Sequence, residues 1–316
     1  MAVYGSVLEL IGDTPIVDVS QLSPKPTVRI LAKLEGQNPA GSVKDCIALA
    51  MVEAAEADGT LRPGATIIEP SSGNTGIALA MISQMRGYQL KIVLPDNVTV
   101  ERRQLLAAFG AEIIPSPGEE GSNGAVRRAE ELASENPHWV FLYQYGNEAN
   151  PTAHFTGTGP EILRDVPDIT HFVAGLGTSG TLMGVGRYLK EQKPSVKIYA
   201  VEPPSGERVE GLRSLHDGYV PPVFDKWGGM ELLDGKRIVR PVESLTWTRR
   251  LVAETGIFAG ISSGAALAGA VKVAERIDEG VIVFVVCDGG WKYLSTGAYT
   301  EPLESIAASL DEIIYF

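Results

Sequence analysis

The sequence predicts an α/β protein whose mainly parallel, twisted sheets are covered by flanking helices. Short apolar runs alternate with longer amphipathic stretches along most of the chain, as in strands joined by crossover helices. A length of 316 residues corresponds to about two domains, with ample chain for a large core. We therefore expect two α/β units, with a boundary near residues 146–147.

Each predicted element follows from its own stretch of this pattern. Strands are expected at residues 30–34, 66–69, 91–94, 112–114, 140–143, 171–174, 197–201 and 281–287. Helices are expected at residues 43–58, 75–86, 100–109, 123–135, 180–191, 245–255, 263–275 and 303–310. Residues 203–240 lose the periodicity and are rich in Pro, Gly and Asp, which predicts a long irregular connection. Such a connection in a compact domain is more often functional than idle.

Charge and composition exclude several classes of function. The chain has 27 basic and 39 acidic residues, and its net charge of −12 argues against nucleic acid or an anionic membrane as the main partner. Two cysteines cannot build a disulfide framework, and the first residues lack the pattern of a secretory signal. The longest aliphatic run is far shorter than the roughly 20 residues of a membrane helix. Scattered histidines and cysteines show no metal-ligand spacing. We expect a cytoplasmic protein without a metal site.

A glycine-rich turn follows the strand predicted at 171–174 and opens the next helix. It reads Gly175-Leu176-Gly177-Thr178-Ser179-Gly180-Thr181. Bare backbone N–H groups at a helix N-terminus bind phosphate, and the macrodipole adds to the attraction. One alternative is a tight strand–helix turn that binds nothing. The other is a dinucleotide fingerprint, because Glu202 ends a strand about 20 residues further on. The hydroxyl side chains and the mid-chain position favour a phosphate monoester over a pyrophosphate.

Two further segments carry groups that suit the same class of ligand. Ser72, Asn74 and Thr75 lie where a predicted strand gives way to a helix, and there they can donate to a carboxylate. A plain N-cap needs only one such side chain. Lys44 supplies a primary amine. An amine that forms a Schiff base, a turn that binds phosphate and a turn that binds a carboxylate together indicate pyridoxal phosphate and an amino-acid substrate.

The pattern Gly260-x-Ser262-x-Gly264 matches a nucleophile elbow, but it does not indicate a serine hydrolase. That fold requires a histidine after the nucleophile in the chain. The histidines are His138, His154, His171 and His216, so none follows Ser262. We expect Ser262 to form a hydrogen bond at the start of a helix.

Over nearly the whole chain, from residues 10–15 to residues 292–296, these segments resemble the fold-type II pyridoxal-phosphate enzymes, specifically the cysteine synthases. Those enzymes have a two-domain fold like that of the tryptophan synthase β-subunit. The resemblance implies that Lys44 carries the cofactor, that Asn74 bonds its ring hydroxyl and that Ser262 meets its pyridine nitrogen. The residues implied to hold its phosphate are Gly177, Thr178, Ser179, Gly180 and Thr181. Those implied to bind the substrate carboxylate are Ser71, Ser72, Thr75 and Gln144.

Within the family the resemblance is strongest to the O-phosphoserine-dependent cysteine synthases, which take sulfur from a thiocarboxylated, ubiquitin-like carrier protein. In that branch the arginine of a Leu-Arg pair recognises the substrate phosphate, and Leu212-Arg213 matches it. The expected reaction is β-replacement on O-phospho-L-serine, through an α-aminoacrylate, to give L-cysteine. An O-acetylserine sulfhydrylase that uses free sulfide and a cystathionine β-synthase-type enzyme stay open as alternatives.

The resemblance also implies an organisation. Residues 38–146 would form a smaller, mobile α/β domain with the substrate loop, and residues 1–37 and 147–316 a larger domain with the phosphate loop. The enzyme would be a homodimer. The apolar residues 311–316 would close over the site, and the alternative is an ordinary docked or frayed terminus. Cys46 stands where the family usually has arginine. Because positions i and i+2 of a helix face different sides, we expect Cys46 to pack rather than share the chemistry of Lys44.

Overall fold

The computed structural model describes residues 3–71 and 73–306, so Ser72 and the segment 311–316 lie outside the described residues. Within the described part the chain forms two sheets, with strand orders β1-β2-β10-β7-β8-β9 and β5-β4-β3-β6. The strands are β1 (Ile16–Asp18), β2 (Val28–Leu34), β3 (Thr66–Pro70), β4 (Gln89–Pro95), β5 (Glu112–Ser116), β6 (Trp139–Phe141), β7 (His171–Gly175), β8 (Lys197–Glu202), β9 (Gly235–Ile238) and β10 (Gly280–Val286).

Both sheets are parallel, apart from the antiparallel pairing of β1 with β2. Strand β10 lies at the centre of the larger sheet, and its residues 281–286 are all buried, as is usual for a parallel strand covered on both faces. The strands of the smaller sheet all come from the chain between β2 and β7. The smaller sheet is therefore an insertion into the larger one.

Helices cover both sheets. They are α1 (Lys44–Ala57), α2 (Asn74–Arg86), α3 (Val100–Ala108), α4 (Gly121–Glu135), α5 (Ala149–Ala153), α6 (Gly159–Asp165), α7 (Gly180–Gln192), α8 (Pro222–Lys226), α9 (Gly229–Leu232), α10 (Pro241–Thr255) and α11 (Ile261–Ala274). A π-helical turn (His154–Thr158) joins α5 to α6, and a 3₁₀ helix (Gly290–Thr296) follows β10. No helix of the described residues combines the length and the apolar character needed to cross a membrane.

The predicted fold class is confirmed, and each predicted strand overlaps an observed one. The predicted helices are also present, although only residues 303–306 of the last one are described, and these are helical. The strand predicted at 140–143 ends at Phe141, because Tyr143 adopts a left-handed backbone with φ of 55°. The irregular connection at 203–240 contains α8, α9 and the edge strand β9, which are too short to give a periodic signal.

Candidate active site

Carboxyl ends of strands from both sheets meet around an open cavity, whose empty space is about 640 Å³ when the adjoining solvent is included. It is lined by most of the residues singled out from the sequence: Lys44, Ser71, Asn74, Thr75, Gln144, Gly177, Thr178, Arg213 and Ser262. A smaller cavity, with about 370 Å³ of empty space when the adjoining solvent is included, shares part of this lining. It is lined by Lys44, Gly177, Thr178, Ser179 and Thr181. Gly180 lines neither cavity, and Ser72 lies outside the described residues. The fold thus brings together segments that are far apart in sequence.

Lys44 is the first residue of α1 and lines both cavities. Burial lowers the pKa of its ammonium group, while the negative charges of Asp288 and Glu35 oppose that shift. The amine is therefore more often neutral at pH 7 than an exposed lysine. Cys46, in contrast, lies 3.9 Å from Glu35 Oε2 and 4.0 Å from Asn38 Oδ1, away from these cavities.

The glycine-rich turn connects β7 to α7, and neighbouring segments pack so closely against it that two of its positions have no room for a side chain. A Cβ atom on Gly177 would lie 2.6 Å from the carbonyl oxygen of Gly211, and one on Gly180 would lie 1.7 Å from Asn150 Oδ1. Ser179, which precedes α7, has a left-handed backbone with φ of 70°. The close approach leaves the N-terminus of α7 and its hydroxyl side chains facing the smaller cavity.

Behind this turn a buried histidine, which sequence reasoning missed, supports Thr181. His154 Nε2 lies 3.1 Å from Thr181 Oγ1, and its Nδ1 lies 2.9 Å from Thr158 Oγ1. Burial lowers the pKa of His154 to about 3, so the ring is neutral and each nitrogen has one hydroxyl partner. The sequence gives no local signal for this role of His154, because its contact with Thr181 of α7 arises only from tertiary packing.

The loop between β3 and α2 has two kinds of polar contact. Ser71 Oγ accepts the N–H groups of Gly73 (3.2 Å) and Gly76 (2.9 Å), so it caps α2. Thr75 Oγ1 donates to Gln144 Oε1 at 2.6 Å, and Gln144 Nε2 donates to the carbonyl oxygen of Pro70 at 3.2 Å. Thr75 and Gln144, which are 69 residues apart, therefore form one polar wall of the cavity.

Ser262 is placed by close helix packing. It lies in the first turn of α11, where a Cβ atom on Gly264 would lie 2.0 Å from Thr248 Oγ1 of α10. The glycine lets the two helices cross closely and fixes the start of α11. The resulting Ser262 hydroxyl is nearly buried and faces the cavity beside Cys287.

Arg213 lies in the long connection after β8, and its side chain is 9% exposed. The guanidinium carbon lies 5.0 Å from the ring centre of Tyr145 and 4.7 Å from that of Tyr219. Within residues 3–71 and 73–306 no carboxylate forms an ion pair with it, and its Nε has no hydrogen-bond partner. Arg213 is thus a buried cation that is held by aromatic rings and lines the cavity.

A second arginine of the cavity wall is paired, and sequence reasoning missed it too. Arg102, in α3, forms an ion pair with Glu210, and both side chains are 4% exposed. The Arg102 guanidinium also lies over the ring of Tyr293, 4.9 Å from its centre. The pair joins the smaller sheet's helix α3 to the connection that carries Arg213.

Comparison with known proteins agrees with this geometry. A family model described as "Pyridoxal-phosphate dependent enzyme" matches residues 7–288. Cysteine synthase B of Pseudomonas aeruginosa is 43% identical over 94% of this chain and 98% of its own length. The chain belongs to the cysteine synthase family.

Solved structures of this family superpose over almost the whole chain. O-ureido-L-serine synthase has a TM-score of 0.88 at 39% identity, covering 98% of this chain and 100% of its own. A cysteine synthase (OASS) from Entamoeba histolytica has a TM-score of 0.87 at 36% identity, covering 98% and 96%. The dinucleotide alternative is wrong, and Glu202 instead forms a 2.6 Å ion pair with Lys236.

The family's cofactor, pyridoxal 5′-phosphate, fits the residues of this cysteine synthase family member. Gly177 lies so close to Gly211 that a Cβ atom has no room at this position of the turn. The N–H and hydroxyl donors of the turn and of the α7 N-terminus suit a phosphate. Lys44, which lines the same cavity, provides the amine. The residues that would hold the cofactor are Lys44, Asn74, Ser262 and the turn from Gly177 to Thr181.

We expect Gly177→Ala to weaken cofactor binding. The new methyl group would meet the Gly211 carbonyl at 2.6 Å, and relieving an overpacked contact costs about 1–3 kcal/mol. Relief of this contact must move the turn and its phosphate-binding N–H groups, so titration of the apoenzyme with pyridoxal phosphate should show a dissociation constant raised by about 5- to 150-fold. Gly157→Ala is the control, because its Cβ would meet no atom nearer than 3.9 Å. Equal affinity in both variants would contradict this account of the turn.

Proposed function

We propose that this protein forms L-cysteine by β-replacement on an O-activated L-serine, with phosphate as the preferred leaving group. The observation that carries the proposal is one cavity that combines the Lys44 amine, the Thr75–Gln144 wall and the unpaired guanidinium of Arg213. The family and the β-replacement chemistry agree with the relatives. The choice of phosphate rests on Arg213.

Bound pyridoxal phosphate supplies an electron-accepting ring for the negative charge that develops at the substrate Cα. Lys44 is the group that takes the Cα proton onto Nζ and later returns it, because its lowered pKa keeps part of the amine neutral. Ser262 offers a neutral hydroxyl rather than a carboxylate to the ring nitrogen, which favours elimination at Cβ over reactions that need a long-lived carbanion. Thr75 and Gln144, together with Ser71 and Ser72, would bind the substrate carboxylate.

Arg213 suits a dianionic leaving group for two physical reasons. Its planar donor fork matches the oxygen atoms of a phosphate, and its burial strengthens the attraction to a charge. The rings of Tyr145 and Tyr219 hold the guanidinium, and no carboxylate of the described residues neutralises its charge. A buried arginine without a carboxylate partner costs free energy unless an anion binds there. An acetyl ester would leave that charge uncompensated.

We expect Arg213→Ala to lower kcat/KM for O-phosphoserine by about 10- to 150-fold, the equivalent of about 1.5–3 kcal/mol for a charge-assisted contact. The value for O-acetylserine should stay within about threefold, because the neutral ester does not use the guanidinium. Arg240→Ala is the control, since that arginine is 71% exposed in an ion pair with Glu207. Equal losses on both substrates would contradict the assignment of phosphate.

O-acetylserine is the second candidate, and the relatives favour it. The Entamoeba structure with 36% identity bears the abbreviation OASS in its name, and the bacterial relative is a cysteine synthase B. If the wild-type enzyme turns over O-acetylserine faster than O-phosphoserine and Arg213→Ala leaves that ratio unchanged, the second candidate is the right one.

The sulfur donor is proposed from the sequence resemblance. We propose a thiocarboxylated ubiquitin-like carrier protein, with free sulfide as the alternative. Steady-state assays that pair one serine ester with each donor separate the two: a carrier-dependent enzyme should reach a higher kcat/KM with the carrier. Faster turnover with sulfide at equal concentration would contradict the carrier.

A further inference from the structure

A second buried lysine lies beside the cavity, and the reaction described above does not use it. Lys292, in the 3₁₀ helix Gly290–Thr296, is fully buried. Its Nζ donates to Asn74 Oδ1 at 2.7 Å and to the carbonyl oxygen of Gly41 at 3.0 Å. Burial lowers the pKa of Lys292 to about 8, and the carboxylates of Asp288 and Asp45 oppose that fall, so the ammonium form predominates at pH 7.

The amide nitrogen of Asn74 has a negatively charged partner, whereas its oxygen has the positively charged Lys292. Asn74 Nδ2 donates to Asp288 Oδ2 at 2.8 Å, and the same carboxylate oxygen accepts the Tyr293 hydroxyl at 2.6 Å. An ammonium group can only donate, and a carboxylate can only accept. The two partners therefore allow the Asn74 amide only one of its two orientations, with its oxygen at Lys292 and its nitrogen at Asp288.

We propose that Lys292 is a positioning residue that orients the Asn74 amide for the cofactor. With one N–H of Nδ2 bound to Asp288 and the carbonyl oxygen bound to Lys292, only the second N–H is left to face the cavity that Asn74 lines. A donor there stabilises the anionic form of the cofactor's ring hydroxyl. This inference rests on the proposed contact between Asn74 and that hydroxyl.

The same contacts connect the two sheets. Asn74 is the first residue of α2, and Gly41 lies just before α1. Lys292 and Asp288, in contrast, follow β10 of the larger sheet. Thr99 Oγ1, just before α3, donates to the backbone carbonyl oxygen of Lys292 at 2.9 Å and holds that residue in place. The orientation of Asn74 is therefore set by residues of the opposite sheet.

The test is the pH titration of the absorbance of the bound cofactor. Lys292→Met should raise the midpoint of the ring-hydroxyl transition by about one unit, because Asn74, then held by Asp288 alone, keeps its second N–H less firmly toward the oxygen. Lys292→Gln keeps a neutral donor for Asn74 Oδ1, so its shift should be less than half as large. Lys292→Gln also tests the proposal if Lys292→Met does not fold.

Two comparisons separate this role from simpler ones. Lys33→Met removes another fully buried lysine, paired with Glu161 at 2.5 Å, and should leave the midpoint unchanged. In an Asn74→Ala background, Lys292→Met should cause no further shift, because Lys292 acts through the amide. The full shift in that background would show that Lys292 acts by its charge alone and would overturn the proposal.

The outcomes also separate this inference from the proposed function. If Asn74→Ala by itself leaves the midpoint unchanged, the proposed contact between Asn74 and the ring is wrong. If Asn74→Ala shifts the midpoint and Lys292→Met does not, the contact stands and the positioning role is wrong. Neither result depends on which serine ester is the substrate.

Discussion

Lys44→Ala should lower kcat by at least about 10³-fold, and the purified variant should lack the absorbance of a cofactor bound to a lysine. The variant loses both the covalent attachment and the base that moves the Cα proton. No other amine of the described residues lines both cavities. Lys292 does not replace it, because its Nζ is engaged by Asn74 and Gly41.

Two measurements separate a chemical loss from a folding defect. Small primary amines such as methylamine should restore part of the activity of Lys44→Ala in proportion to their concentration, since they can occupy the space left by the side chain. Cys46→Ala is the matched control on the same helix, because Cys46 faces Glu35 and Asn38 instead of the cavities. It should keep activity within about twofold. Full activity of Lys44→Ala would contradict the proposed mechanism.

Covalent labelling gives an independent check of the same residue. Borohydride reduction followed by peptide mass mapping should place the cofactor on Lys44 in the wild type and on no peptide in the alanine variant. A label found on Lys292 in the wild type would contradict both the mechanism and the positioning role of that residue.

Local motifs explain why so much of the site could be predicted from sequence. The turn from Gly177 to Thr181 and the loop around Thr75 each lie where a strand ends and a helix begins, and the chemistry is visible within a few residues. Parallel sheets then gather such loops at one edge. Gln144 and Arg213 lie outside such motifs, and only the resemblance to a known family pointed to them.

Other parts of the site depend on contacts that no local pattern contains. Arg102 and Glu210 are 108 residues apart, and Lys292 and Asn74 are 218 residues apart. His154 lies in a helical segment where a histidine by itself indicates no function. Its role follows only from its contact with Thr181. Each of these groups is buried through tertiary packing, so its partner is fixed by the fold and not by spacing in the chain.

The ion pair between Arg102 and Glu210 should give the largest stability effect of a single substitution at the cavity wall. Arg102→Met leaves the Glu210 carboxylate buried without its cation, and breaking a buried pair in this way costs about 3–5 kcal/mol. Urea unfolding of the cofactor-loaded enzyme should show this loss at pH 8. Arg128→Met is the control, since Arg128 forms an exposed pair with Glu131 and should change the free energy of unfolding by less than about 0.5 kcal/mol.

The destabilisation should also depend on pH in a defined direction. Burial already raises the pKa of Glu210, and the charge of Arg102 opposes that rise, so removing Arg102 should raise the pKa further. In the folded variant the Glu210 carboxyl then keeps its proton up to a higher pH than it does in the unfolded chain. The free energy of unfolding therefore falls as the pH increases from the unfolded-state pKa of Glu210 to its folded-state pKa. The variant should therefore be less destabilised at pH 5.5 than at pH 8. A loss of less than about 1 kcal/mol at both pH values would contradict this role of the pair.

Replacing both Arg102 and Glu210 separates two contributions to the free energy of unfolding: the penalty for a buried charge without a partner, and the net stabilisation by the ion pair. In Arg102→Met/Glu210→Leu no charge is left without its partner, and apolar replacements of buried pairs are often neutral. We expect the double variant to recover most of the stability lost in Arg102→Met, with the pH dependence abolished. Its activity should still fall, because Glu210 and Arg102 both line the cavity and connect α3 to the segment that carries Arg213. Recovered stability with impaired turnover would mean that the pair is retained to shape the site and not to stabilise the fold.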